Sequence, residues 1–139
     1  MNLKKTVNSE EETKEFAFEV AEMLRGSVVL MNGNLGAGKT FFVKCVAEYF
    51  GCGEVSSPTF TLHHRYDGNV TIRHFDLYRL ENFAELENID FFGIIESGDT
   101  CFVEWADKFN LHDELEKYIE ITITVINKNE RIFEMVTKE

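Results

Sequence analysis

One octapeptide limits the folds open to this chain more than any other stretch: Gly33-Asn34-Leu35-Gly36-Ala37-Gly38-Lys39-Thr40. It satisfies the pattern G-x-x-x-x-G-K-[ST] at every position. With glycine near 7% of residues in ordinary proteins, a chance match in such a chain is roughly a half-percent event. Glycines here allow backbone conformations closed to other residues and let the main chain approach a ligand closely. Successive amides then point into one concavity, backed by the positive end of the helix that follows. Lys39 adds a full charge over the outer phosphates, and Thr40 offers a hydroxyl to magnesium. All eight residues are therefore read as a phosphate-binding loop, against the plainer alternative of a flexible glycine turn.

The flanking sequence supplies the context such a loop needs. Ser9-Glu10-Glu11-Glu12 has the form of a capping box, and Ala17, Val20, Ala21 and Leu24 recur at helical spacing, so a helix is predicted from about Ser9 to Arg25. Ser27 to Met31 is a short apolar run, the mark of a strand buried on both faces. A second helix is predicted from Lys39 to Phe50, stopping at Gly51. Thr61 to Tyr66 and Val70 to Phe75 read as a hairpin across Asp67-Gly68-Asn69. A third helix is expected from Asn82 to Phe92, with Phe83, Leu86 and Ile89 as its apolar stripe. Thr100 to Val103 is a second buried strand, and Lys117 to Ile126 pairs with Arg131 to Val136 across Asn127-Lys128-Asn129. The fold class is α/β: one domain over residues 1–139, with a mixed, mainly central sheet flanked by helices.

A phosphate loop needs an acidic partner at the end of a nearby strand, to hold magnesium directly or through water. Cys101-Phe102-Val103-Glu104 is an apolar run ending in a carboxylate, as a central strand would be. Val70 to Asp76 also ends in an acid but alternates apolar and polar, as a less buried strand would. Ser56-Ser57-Pro58-Thr59 follows the second helix and reads equally as a phosphate-sensing switch or a plain turn. His63, His64, His74 and His112 match no metal motif and are expected in structural or surface roles; Trp105, directly after Glu104, is expected in the core, with packing near the site as the alternative.

Composition narrows the function classes. A hydrophobic fraction of 44% argues for a folded globule. A net charge of -11 repels phosphate backbones, so any nucleic-acid role would be indirect, through a basic partner or a few local cations. Cys45, Cys52 and Cys101 form no CxxC pair or disulfide framework. No secretory signal and no membrane-spanning run is expected, which makes the cytoplasm the default location.

Several segments together resemble the TsaE family. They are the loop itself, Ser57-Pro58-Thr59-Phe60-Thr61-Leu62 with Tyr66, His74-Phe75-Asp76-Leu77-Tyr78-Arg79-Leu80, Glu85-Leu86 and Val103-Glu104-Trp105. The resemblance runs in order from the first helix to about Trp105. It implies a P-loop ATPase working with TsaB and TsaD to form N6-threonylcarbamoyladenosine in tRNA. In that family transfer belongs to TsaD, and TsaE hydrolyses ATP to support turnover of the complex. By motif position Lys39 would bind phosphates, Thr40 and Glu104 would hold magnesium, and Asp76 would place metal or water. Lys39, Asp76 and Glu104 are thus the expected catalytic set, with Arg79 the nearest candidate for a finger. The chain departs from the family at Asn34, usually Asp, at Phe41, usually a hydroxyl residue, and at Asp90, where glycine is expected. A small-molecule kinase on the same loop and a non-catalytic nucleotide-gated adaptor are the rival readings.

Overall fold

The computed structural model describes residues 2–34, 36–53 and 63–139. Helix α1 (Glu10–Leu24) begins where Ser9 turns extended and its hydroxyl accepts the Glu12 amide at 3.1 Å. The return bond lands one residue early: Glu12 Oε1 accepts from the Asn8 amide at 3.2 Å. Three glutamates in the first turn suit the positive helix end.

Among the described residues seven strands form one sheet: β1 (Asn2–Val7), β2 (Val28–Asn32), β3 (His63–Asp67), β4 (Thr71–Asp76), β5 (Thr100–Glu104), β6 (Tyr118–Val125) and β7 (Arg131–Lys138). Their spatial order is β1-β7-β6-β2-β5-β4-β3. The inner four, β6-β2-β5-β4, run parallel, and the outer pairings are antiparallel. The expected mixed sheet is therefore present. Continuous apolar runs fall where they are needed: β5 is buried at all five positions, between β2 and β4.

Alternation along the strands divides the core between the two faces. On one face α1 and α2 (Lys39–Tyr49) cover Val29, Met31, Phe102 and Ile121. Phe42 of α2 is fully buried there, with ring centroids 5.3 Å from Phe133, 6.2 Å from Phe16 and 6.5 Å from Phe102. On the other face α3 (Phe83–Asn88), α4 (Phe91–Ile95) and α5 (Leu111–Glu114) cover Leu30, Phe75 and Val103.

Two features differ from the sequence reading. The helix expected from Asn82 to Phe92 is two helices, broken at Ile89 and Asp90, where Asp90 takes a left-handed φ of 56°. Leu86 and Phe91 are both fully buried in one cluster. On a straight helix residues five apart point about 140° away from each other, so the break is what brings both inward. Of the expected stripe Leu86 is buried, whereas Phe83 is 40% exposed and leans on Phe92. The second difference is β1, a strand whose sequence carries no apolar pattern because only Val7 is buried in it. Thr61 and Leu62, expected to start the hairpin, lie outside the described residues.

Truncating Phe42 to Ala should lower the unfolding free energy by about 3–5 kcal/mol, the range for emptying a buried aromatic site. Ser9→Ala should cost about 1 kcal/mol through the lost cap. Urea titrations followed by far-UV circular dichroism measure both.

Candidate functional site

Between the end of β2 and the first turn of α2 the chain must reverse sharply, and its glycines make that possible. Gly36 and Gly38 have φ of 83° and 101°, the left-handed region. A Cβ on Gly33 would sit 3.1 Å from the Ile123 carbonyl and 3.2 Å from Ala37 Cβ, so close packing also holds that position. Gly38 caps α2 with no side-chain bond, which leaves the first amides of an 11-residue helix open toward the loop. Asn34 is exposed on the rim, and Leu35 lies outside the described residues.

The side chain of Lys39 turns back under the loop and is only 8% exposed. Its ammonium donates to the Gly33 carbonyl at 2.8 Å and lies 3.4 Å from Glu104 Oε1. Strand pairing brings the two acids to it. Asp76 ends β4, Glu104 ends β5, and the parallel register sets them opposite each other. A cavity of about 540 Å³ opens here, lined among others by Lys39, Thr40, Asp76, Arg79, Glu104 and Trp105. It lies at the carboxyl ends of parallel strands, the usual ligand position in open α/β sheets.

The two carboxylates sit in opposite electrostatic conditions. Burial raises the pKa of Asp76; the Tyr78 amide, donating to Oδ1 at 3.0 Å, offsets part of this, while the charge of Glu104 adds to it. Burial also pushes Glu104 up, but the hydrogen bond and charge of His74, together with Lys39, outweigh it and hold the group below its ordinary value. His74 Nε2 lies 2.6 Å from Glu104 Oε2, and the ring is wholly buried. Its Nδ1 has no hydrogen-bond partner among the described residues. Buried charge of this density costs folding energy, and such clusters at a cavity mark sites of chemistry.

Lys39, Thr40, Asp76 and Glu104 thus meet at one cavity, as do Gly36 and Gly38. Thr40, Asp76 and Glu104 are hard oxygen donors, the type that suits magnesium, which takes one or two carboxylates and fills its shell with substrate phosphate and water. Among the described residues no group of three His, Cys, Asp or Glu is placed to hold a metal without such help. Ser56, Ser57, Pro58 and Thr59 lie outside the described residues.

Two residues were underweighted in the sequence. Trp105 is not in the core: it is 40% exposed, takes a φ of 64°, and its ring lies 5.5 Å from the Lys39 ammonium and 4.9 Å from Tyr78. His74, expected in a structural or surface role, is bonded to Glu104. The signal was available in the strand period. His74 and Asp76 share a strand face, as do Phe102 and Glu104, and residues two apart on paired strands meet. Of the others, His63 stacks on Phe75 at 4.4 Å with its pKa pushed down to about 4 by burial, and His112 pairs with Glu120.

Residues 7–133 match the family profile described as threonylcarbamoyl adenosine biosynthesis protein TsaE. A protein of Rickettsia conorii, named tRNA threonylcarbamoyladenosine biosynthesis protein TsaE, is 39% identical over 137 residues, covering 95% of this chain and 77% of that one. The protein of the same name from Aquifex aeolicus is 37% identical over 130 residues, covering 90% of this chain and 89% of its own. The crystal structure of Bacillus subtilis YdiB superposes with a TM-score of 0.75 at 30% identity, over 100% of this chain and 87% of that one.

The opposed shifts have a consequence for stability. Asp76, with its pKa raised, favours the fold at low pH, and that contribution is lost as pH rises through its folded pKa. Glu104, with its pKa depressed, favours the fold above its ordinary value of 4.5, and that contribution is lost as pH falls through its folded pKa. At pH 7 Asp76→Asn should therefore raise the melting temperature of the ligand-free protein, with the gain shrinking on acidification. Glu104→Gln should lower stability by roughly 2 kcal/mol, the order for losing a charged acceptor. Thermal melts from pH 4 to pH 8 test both signs.

Proposed function

The chain belongs to the TsaE family, and from that premise we propose that it is a magnesium-dependent ATPase serving N6-threonylcarbamoyladenosine formation in tRNA. The observation that carries the reading is the meeting of Lys39 with Asp76 and Glu104 at a cavity that Gly36 and Gly38 of the loop also line. This is the layout required to bind a triphosphate and to stabilise charge on its outer phosphate.

In this scheme the loop amides hold the inner phosphates and Lys39 holds the outer ones. On binding, the ammonium exchanges its contacts with the Gly33 carbonyl and Glu104 for phosphate oxygens. Thr40 and Glu104 would hold magnesium, and Asp76 would serve as a further metal ligand or orient the water. When bound, the metal draws negative charge off the phosphates. Water attacks the terminal phosphorus, the bond to the bridging oxygen breaks, and ADP, phosphate and a proton leave. His74 keeps Glu104 turned and ionised. Catalysis is positioning plus charge stabilisation, so hydrolysis by the protein alone is slow.

The net charge of -11 supports a division of labour in which TsaB and TsaD hold the tRNA and this chain supplies turnover. Among the described residues no helix is long and apolar enough to cross a membrane, and a cytoplasmic setting fits the proposed role.

Lys39→Ala should reduce phosphate release from ATP by about 100-fold or more, the scale for removing a preorganised charge-stabilising donor. Chelating magnesium should abolish release from the unaltered protein. Normal hydrolysis by highly purified Lys39→Ala protein would sink the assignment.

A further inference from the structure

Glu104 is followed at once by a backbone outlier. Trp105 takes a φ of 64°, in the left-handed region that a bulky side chain rarely occupies. Such conformations persist where the surroundings enforce them, and they collect at functional sites. Here the reversal opens a short 3-10 helix, Ala106–Phe109, in which the Lys108 amide donates to the Trp105 carbonyl at 3.2 Å. The turn delivers the Lys108 side chain to the segment that follows β4. Its ammonium donates to the Tyr78 carbonyl and lies 5.5 Å from the centre of the Tyr78 ring.

Tyr78 is the residue that holds Asp76, through the amide that donates to Oδ1 at 3.0 Å. At 58% exposed, Tyr78 is fixed little by its own burial. Its restraint comes from the segment after β5. The Trp105 ring meets the Tyr78 ring at 4.9 Å, and Lys108 grips both that ring and the carbonyl. The amide that bonds Asp76 and the carbonyl that bonds Lys108 flank one α-carbon. With both peptide units planar, restraining the second restricts the first. The Leu77 amide adds a tie to the Glu104 carbonyl at 3.2 Å. The residues that follow the two acids are thus laced together.

We propose that Lys108 is a positioning residue for the divalent cation: acting through Tyr78, it sets where the Asp76 carboxylate points at the cavity. This rests on the ATPase reading above. Lys108 is itself exposed and meets the cavity through Tyr78, which lines it together with Asp76. A lysine side chain loses much conformational freedom when held at both its charge and its position over a ring. Here that loss falls on one residue, the one whose amide orients Asp76. A ligand group held in place beforehand binds its cation more tightly, because its own freedom is not spent on binding.

The test titrates magnesium calorimetrically into protein saturated, without metal, with a non-hydrolysable ATP analogue. Lys108→Met removes donor and cation and should weaken magnesium binding about tenfold, the scale for losing an outer partner of a metal ligand. Binding of the metal-free analogue should be unchanged, and Lys108→Arg should restore most of the lost magnesium affinity. In an Asp76→Ala background Lys108→Met should have no further effect, because the group it orients is gone. In hydrolysis, Lys108→Met should raise the magnesium needed for half-maximal rate and leave the saturated rate little changed. Unaltered magnesium affinity in Lys108→Met would overturn the proposal. So would an equal loss in the Asp76→Ala background, or a loss that falls on the metal-free analogue instead. If the unaltered protein bound no nucleotide, the ATPase reading itself would fail, and Asp76 would have no cation to meet.

Discussion

The site depends on a carboxylate kept ionised out of water. Glu104 is 6% exposed at the end of the most buried strand, where an unpaired charge would be expelled or neutralised. It is retained because Lys39 approaches one oxygen and His74 holds the other. Those partners come from α2 and β4, so the charge is tolerated only when the loop, β4 and β5 are assembled together. The chemistry of the cavity and the cohesion of the fold are in this sense one arrangement.

Asp76 stands in contrast. It lies opposite Glu104 in register but has the Tyr78 amide as its hydrogen-bond donor, and burial works against its charge. Held so, its charge is less favourable in the fold than in the unfolded chain. The acids that end two neighbouring strands are thus divided: one anchors the local network, and burial opposes the charge of the other.

Much of this was legible before any coordinates. The loop declared itself by spacing alone, since the pattern needs glycines where the backbone turns left-handed at Gly36 and Gly38. The two apolar runs became β2 and β5, because burial on both faces leaves a continuous hydrophobic string. What escaped was of another kind. β1 is an edge strand with one buried residue, and its lysines, which guard an edge from unwanted pairing, hide its identity. The break at Asp90 comes from tertiary packing of Leu86 and Phe91, which a helical period does not register. His74 and Trp105 needed knowledge of which strands are neighbours. Local pattern specifies elements, and the partners of each side chain follow only from topology.

The path of the outer strands also bears on how the molecule can be handled. Asn2 pairs with Val136, and Tyr118 pairs with Lys138, so both described ends of the chain meet at the pole where the inner strands begin. The phosphate loop sits at the pole where those strands finish. A fluorophore, affinity handle or surface linkage at either terminus would hang from the underside of the sheet, leaving the mouth of the site open to whatever docks there.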